Sequence, residues 1–409
     1  MRIEIITIGD EILIGQVVDT NSAWMGRELT QRGFEITAIS SVGDETGEIV
    51  QAIDIAFECA DILLLTGGVG PTNDDITKYT LCEYFDTSLI FDPEVLKNIE
   101  LIFQHRNIQM NELTRNQAYV PMDCTVIQNK VGTAPILWFE NQGKVLISMP
   151  GVPFEMKTAM TDEIIPRLQQ QFQTEKYLRR SFLLSGIPES ALALHLADFE
   201  NKLPKGFSLA YLPSFGFIRL RLSVWGEENT DELNKNTEKL NLLIKEWLIS
   251  RTDKSPELLI GEKLLEKQLN ISTAESCTGG NIAHRITKIA GASAYFEGSI
   301  VSYSNNVKAE TLGVDKTVLK TCGAVSREVV EQMAVNVATQ LKTDCSIAVS
   351  GIMGPDGGTT DKPVGMVWIC TNYCNKLTTQ QYNVGVNRAE NIERVTNLAI
   401  LQLLKSMIN

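Results

Sequence analysis

The segment Ser272-Thr273-Ala274-Glu275-Ser276-Cys277-Thr278-Gly279-Gly280 sets hydroxyl and thiol nucleophiles beside a glycine pair, between a short apolar strand and a helical run over 281–289. Two glycines at a strand-to-helix turn let the backbone approach a ligand closely, and the helix's first N–H groups then face that ligand. Such an end attracts anions and stabilises oxyanions. A hydroxyl or thiol placed there becomes an activated nucleophile when a base lies nearby. Taken by itself the turn is equally well a plain N-cap, because Ser and Thr are favoured there anyway.

Further polar segments follow in order: Gly291-Ala292-Ser293, then Tyr303-Ser304-Asn305-Asn306-Val307-Lys308, then Gly323-Ala324-Val325-Ser326. A second glycine-rich loop reads Ser350-Gly351-Ile352-Met353-Gly354-Pro355-Asp356-Gly357-Gly358 and runs on to Lys362-Pro363-Val364-Gly365. This ordered series resembles the C-terminal domain of the CinA (competence/damage-inducible protein A) family, which is similar to stand-alone nicotinamide-nucleotide amidases. The resemblance implies hydrolysis of nicotinamide mononucleotide to nicotinate mononucleotide and ammonia, with no cofactor.

Amide hydrolysis requires a nucleophile, a proton acceptor and an oxyanion site. Only three histidines occur, His105, His195 and His284, and none stands in a zinc-ligand spacing. A serine–lysine pair answers the need, provided that burial or nearby positive charge lowers the lysine pKa from about 10.4. By the resemblance Ser276 is the nucleophile, Lys308 the base, and Tyr303 and Ser293 complete a hydrogen-bonded relay. Cys277 is the rival nucleophile, since a thiolate at a helix N-terminus is activated. Thr278 and the N–H groups of Gly279 and Gly280 are expected to bind an oxyanion or phosphate. Gly351, Gly354 and Gly357 are expected to cover the ribose phosphate, with Arg388 as a phosphate clamp. Met353 stands where the family loop has a small residue, which would narrow the pocket. Each residue also has a structural reading: a solvated Lys308, a packed Tyr303, a Ser293 that only makes a turn.

A second constellation lies near the N-terminus. One strand end reads Gly9-Asp10-Glu11-Ile12-Leu13-Ile14-Gly15-Gln16, and another Thr66-Gly67-Gly68-Val69-Gly70-Pro71-Thr72-Asn73-Asp74-Asp75. A glycine loop opening into paired aspartates suits phosphate plus a divalent cation, because carboxylate oxygens hold the metal while backbone cradles phosphate. The alternative is an ordinary turn with Asp74 or Asp75 as N-cap. Gly67, Gly68, Gly70, Thr72 and Asn73 are the phosphate-binding candidates, and Asp74, Asp75 and Asp10 the metal candidates. The stretch resembles the molybdopterin-binding domain family and more closely the N-terminal domain of CinA proteins. That implies a metal-dependent (Mg, Mn or Co) ADP-ribose pyrophosphatase, with molybdopterin binding as the alternative. Met149-Pro150-Gly151-Val152-Pro153-Phe154-Glu155-Met156 matches too and is expected to border the same pocket.

Elements that must position these residues follow from periodicity. Strands are expected over 3–8, 35–41 and 61–66, alternating with helices over 20–32 and 46–59. That order implies a mostly parallel sheet with helices on both faces. Residues 173–252 have a βαββα rhythm, with a helix over 230–249 carrying Leu240, Leu243, Ile244 and Trp247. This part resembles the small KH-like domain of CinA, without the glycine-flanked basic loop that clamps nucleic acid. Polar residues 250–256 read as a linker. The fold class is therefore α/β in three domains: 1–172 a molybdopterin-binding-like α/β sandwich, 173–252 a KH-like α+β linking domain, and 253–409 an α/β amidase domain.

Composition bounds the rest. A chain of 409 residues exceeds one ordinary core. A formal net charge of −13 argues against nucleic acid as partner. No apolar run reaches the roughly 18 residues that span a bilayer, and the N-terminus lacks a signal peptide's pattern, so a cytoplasmic location is expected. Eight scattered cysteines are expected as free thiols. The expected partners are small nucleotides, NMN and ADP-ribose, and the resemblance implies a homodimer. A non-catalytic role in competence or recombination is the reading from another class.

Overall fold

A computed structural model describes residues 1–72 and 74–408. Asn73, one of the phosphate-binding candidates, lies outside the described residues. The chain forms two compact units. The first is Met1–Leu178 with Trp225–Asn229, and the second comprises Arg179–Val224 and the chain from Thr230 onward.

In the first unit a six-stranded sheet has the order Glu35–Val42, Arg2–Ile8, Ile62–Thr66, Lys144–Met149, Ile136–Asn141, Thr125–Ile127. The first four strands are parallel and the last two antiparallel. Alternation along Arg2–Ile8 sends Ile3 and Ile5 to one face, against Met25, Leu29 and Met160. Ile6 and Ile8 go to the other, against Ile49, Ile53 and Leu81. Both faces are covered, as parallel strands with apolar runs require. Each fully buried Ile or Leu contributes roughly 1.5–3 kcal/mol. With the strands parallel, Gly9, Gly67 and Pro150 all emerge at the same carboxyl edge, where ligands of such sheets sit.

The second unit holds two sheets. A four-stranded sheet orders Ser208–Ser214, Phe217–Trp225, Tyr177–Leu184 and Leu248–Ser250. The helix expected over 230–249 ends at Ile244. Trp247 N–H closes back on Ile244 O at 3.0 Å, and Leu248–Ser250 pairs antiparallel with Tyr177–Leu184. Trp247 thus leaves the helical stripe and meets the His195 ring edge-on, while Leu240 and Ile244 stay buried. The presumed linker is tied down: Asp253 pairs with Arg179 at 3.0 Å, and Ser255 caps the helix Pro256–Lys267.

The five-stranded sheet orders Phe296–Val301, Ile271–Glu275, Cys345–Gly351, Met366–Tyr373 and Lys376–Asn383, the first three parallel. Helices Pro256–Lys267, Asn281–Thr287 and Arg388–Ile408 bury Ile271, Ile347, Val349 and Ile369 on one face. Helix Arg327–Leu341 covers Ala274, Ala348 and Cys370 on the other. All eight cysteines are free. No helix among the described residues is long and apolar enough to cross a membrane.

Gly67 combines φ of +116° with a hydrogen-atom side that faces the Ile8 carbonyl, where any Cβ would collide with backbone. Gly67→Ala is expected to destabilise the first unit by about 2 kcal/mol or more, read as a lower urea midpoint at unchanged slope.

Candidate active site

The strand Ile271–Glu275 ends in a turn built around one buried carboxylate. Glu275 is fully buried, and its Oε2 accepts from Thr278 Oγ1 at 2.6 Å, Gly280 N–H at 3.0 Å and Ile282 N–H at 3.1 Å. Its Oε1 accepts from Ala283 N–H at 2.8 Å and Thr273 Oγ1 at 3.3 Å. The side chain therefore caps the helix Asn281–Thr287 from the preceding strand, satisfying orphan N–H groups with negative charge at the helix's positive end. Gly280, left-handed at φ +103°, offers no side-chain cap itself.

This capping corrects the expected ligand donors. The Thr278 hydroxyl and the Gly280 N–H are spent on Glu275, and Gly279 N–H closes on Ser276 O at 3.3 Å. Among the described residues, the N–H groups of Cys277 and Thr278 donate to no backbone or carboxylate oxygen. Those two groups, not the glycines, remain for an oxyanion. Ser276 itself is anchored by its N–H to Val349 O at 3.1 Å in the neighbouring strand.

Lys308 enters from the helix Asn305–Glu310, whose first turn Ser304 caps by accepting from Val307 N–H at 3.2 Å. Only 1% of Lys308 is exposed. Its Nζ lies 2.8 Å from Ser276 Oγ, 2.7 Å from Ser302 O and 3.2 Å from Tyr303 O. Ser302 is held in place by donating its N–H to Glu275 O at 2.8 Å. Among the described residues no carboxylate touches the amine, and burial pushes its pKa down to about 8. A neutral amine has two N–H bonds and one lone pair. Two carbonyls can take the bonds, which leaves the lone pair for the Ser276 hydroxyl.

Cys277 is not available as the rival nucleophile. Its side chain belongs to the apolar core, and burial pushes the thiol up to about 12. Tyr303 is 61% exposed, and only its carbonyl touches Lys308. Its hydroxyl instead accepts from Arg388 at 2.8 Å, while the same guanidinium donates to Gly354 O at 3.0 Å. Arg388 thereby staples Tyr303 to the second glycine loop. Ser293 does not join the relay within one chain. It lies exposed in the turn Ala292–Ala294, just before Phe296, which pairs with Ile271 at the start of the nucleophile's strand. The length of that strand, roughly 15 Å, separates Ser293 from Ser276.

The second glycine loop is fastened from several sides. Ser350 Oγ donates to Ala324 O at 2.7 Å, and Asn391 donates to Met353 O at 2.9 Å. Lys362 Nζ donates to Cys322 O at 2.6 Å and Val325 O at 2.8 Å. Met353 points into the core and so does not narrow the site. Gly354 and Gly357 take positive φ, and Gly351 sits tight against Val367. Sequence reasoning passed over Glu275, Asn391 and Lys362. Glu275 alone carried a signal, as a carboxylate closing an otherwise apolar strand directly before a helix.

In the first unit a cleft of about 400 Å³ opens at the carboxyl edge of the parallel strands, bordered by Gly9, Gly67, Gly68, Gly70 and the 150–155 segment. Most of the expected phosphate donors are committed. Gly67 N–H reaches Met149 O at 3.2 Å, and Gly70 and Thr72 N–H reach Asp75 at 2.7 and 2.8 Å. Gly68 N–H is uncommitted among the described residues. Asp75 is thus a loop clasp. Asp10 and Asp44 instead hold each other, Asp10 N–H to Asp44 Oδ2 at 3.1 Å and Asp44 N–H to Asp10 Oδ1 at 3.3 Å. Burial raises the Asp44 pKa, and the negative charges of Asp10, Glu11 and Asp74 raise it further. No described Lys or Arg forms an ion pair with this acidic rim. No three described metal-ligating side chains converge. The rim suits a cation shared with a ligand's phosphate, since Mg²⁺ needs only one or two carboxylates there; it does not form a cage made by protein alone.

Two buried amides complete this cleft. Asn21 donates to Gly151 O at 2.7 Å and Gln117 to Val69 O at 3.4 Å, while Asn21 Oδ1 and Gln117 Oε1 stay buried without a partner among the described residues. Unpaired buried acceptors cost about 1–3 kcal/mol each. A ligand bearing N–H or O–H groups would recover that energy.

Glu275→Gln turns one of the two capping oxygens into an amide donor facing N–H groups. It is expected to cost about 2–4 kcal/mol in stability, whereas Ser276→Ala, which removes a single hydroxyl contact to Lys308 and leaves the capping carboxylate intact, costs about 1 kcal/mol. Urea unfolding of both variants checks the ordering.

Residues 4–170 match the family model for a probable molybdopterin binding domain, and residues 253–407 that for the CinA C-terminal domain. A CinA-like protein of Cytophaga hutchinsonii is 43% identical over 99% of this chain and 97% of its own. Another, of Flavobacterium psychrophilum, is 40% identical over 100% and 99%. A putative competence-damage inducible protein of Caldicellulosiruptor saccharolyticus is 37% identical over 100% of both. With relatives this similar over their full lengths, the chain belongs to the CinA family.

Proposed function

We propose that the second unit is a nicotinamide-nucleotide amidase, converting nicotinamide mononucleotide and water into nicotinate mononucleotide and ammonia. The observation that carries this reading is the 2.8 Å contact between Lys308 Nζ and Ser276 Oγ, buried away from any carboxylate. A lysine so placed is a base near neutral pH and has no evident structural use.

Neutral Lys308 takes the Ser276 proton as Oγ attacks the amide carbon. The oxyanion that forms is met by the Cys277 and Thr278 N–H groups. The lysine ammonium returns its proton to the departing nitrogen, which leaves as ammonia. Water then attacks the Ser276 ester, giving its proton to Lys308 and ending as the nicotinate carboxylic acid, while the proton on Lys308 restores the serine hydroxyl. Arg388, beside Tyr303 and the 354 loop, supplies the positive charge for the nucleotide's phosphate.

For the first unit the reading is hydrolysis of ADP-ribose at its pyrophosphate. A divalent cation, Mg, Mn or Co, would be shared between the ligand's phosphate and one or two carboxylates of the rim formed by Asp10, Asp44 and Asp74, and would neutralise pyrophosphate charge and acidify bound water. Asn21 and Gln117 accept from the ligand's amino or hydroxyl groups, and Asp75 keeps the glycine loop shaped. Molybdopterin offers similar donors, and titrating the protein with both compounds decides between them.

Four outcomes test these readings. Ser276→Ala removes ammonia release and spares ADP-ribose cleavage; undiminished release would dismiss Ser276. Because only the neutral amine accepts a proton, amidase kcat/KM rises with pH through about 8 and levels above it. Lys308→Arg is then nearly as damaging as Lys308→Ala, each by about 10²-fold or more, since guanidinium stays protonated. An active Lys308→Arg would make this residue a phosphate ligand. Asp44→Asn with Asp74→Asn abolishes ADP-ribose turnover at fixed metal concentration and leaves the amidase intact; unchanged turnover removes these carboxylates from the reaction.

A further inference from the structure

A cavity of about 330 Å³ lies in the second unit between the outer strand Lys376–Asn383 and the helix Arg388–Ile408, and it belongs to neither site above. Residues 376, 378, 380 and 382 share one face of that strand, as period-two alternation requires, and they look across to Leu398, Leu401 and Lys405 on the helix. Ser185 closes one end.

The lining has an unusual charge balance. Lys376 stands on the strand wall and Lys405 on the helix wall, and no carboxylate of the described residues lines the space between them. Neither lysine forms an ion pair among the described residues, in a chain whose formal net charge is −13. Exposed Lys376 is well solvated, but Lys405 is half-buried. Among the described residues its Nζ has a single partner, Ser185 O, at the long distance of 3.5 Å. Burial accordingly lowers its pKa. Beneath it the floor is fixed: Gln402 donates to Thr378 O at 2.8 Å and accepts from Tyr382 at 3.0 Å. The Thr378 hydroxyl is uncommitted among the described residues, and Leu398 and Leu401 add an apolar patch.

We propose that this cavity binds a small phosphorylated metabolite, with its phosphoryl group between Lys376 and Lys405 and its organic body on Leu398 and Leu401. Two ammonium groups on opposite walls call for a dianion, and a phosphate monoester carries nearly two charges near neutral pH. The volume falls at the lower end of small-molecule sites, which limits the body to a few carbons. The anion gives Lys405 the counter-charge that the fold withholds.

The test uses the full chain and calorimetric titration with glycerol 3-phosphate, with glycerol as the unphosphorylated control. A phosphate monoester would also enter the two nucleotide sites proposed above, so the comparison is between wild type and Lys405→Met. Wild type is expected to show one more binding event than the variant, and Lys405→Arg to keep it. Lys405→Met should melt at the same temperature as wild type or higher without ligand, because a desolvated charge is replaced by an apolar chain. It should lose the part of the ligand-induced rise in melting temperature that belongs to this site, and its amidase activity should be unchanged. Identical isotherms and identical ligand-induced shifts in wild type and Lys405→Met would overturn the proposal. So would a lower melting temperature in the unliganded variant, which would make Lys405 a structural residue satisfied by Ser185.

Discussion

Burying an amine without a counter-ion is costly, and the second unit is arranged so that the cost falls on the protonated form of Lys308. Its three neighbours are two carbonyls and one hydroxyl. A carboxylate in their place would hold the proton on the lysine and leave it unfit to serve as a base. The strand register brings this about. Ser302 bonds to Glu275 across two parallel strands, so the carbonyls of residues 302 and 303 arrive beside the Ser276 turn, and one helical turn later the lysine folds back onto them.

Glu275 ends the strand that leads into the Ser276 turn, and the placement of its carboxylate completes the arrangement. Its carboxylate faces away into the start of the helix Asn281–Thr287, where backbone N–H groups and two hydroxyls absorb its charge. One residue thus fixes the shape of the turn and keeps its charge off the lysine. The same logic recurs in the first unit, where Asp75 clasps the glycine loop through Gly70 and Thr72. In both sheets the site lies at the carboxyl ends of parallel strands, and in both a carboxylate adjoining the turn is spent on backbone.

That shared device explains which parts were legible in the sequence. Strand and helix order in the first unit followed from apolar alternation, and the nucleophile turn followed from glycines between strand and helix. Lys308 was named by motif, and its distance from Ser276 depends on strand register, which one sequence does not display. Carboxylates were the hard case. Asp75 and Glu275 look like metal or catalytic groups by type, yet backbone donors claim them, and only three-dimensional hydrogen bonding reveals that. Thr278, Gly279 and Gly280 were misassigned for the same reason. Ser293 is near the motif in sequence but at the wrong end of a strand. Trp247 continued a helical stripe by period, while a short edge pairing at Leu248–Ser250 ended the helix earlier.

The state of one amine is the most direct test of this scheme. In protein labelled with ¹³C at the lysine ε-carbon, the Lys308 resonance is assigned by its disappearance in Lys308→Met and followed as pH is raised. Desolvation at the Ser276 contact predicts a titration midpoint near 8. A midpoint at the ordinary lysine value of about 10.4 would mean that the amine stays protonated at working pH, and it would contradict a serine–lysine base in this fold.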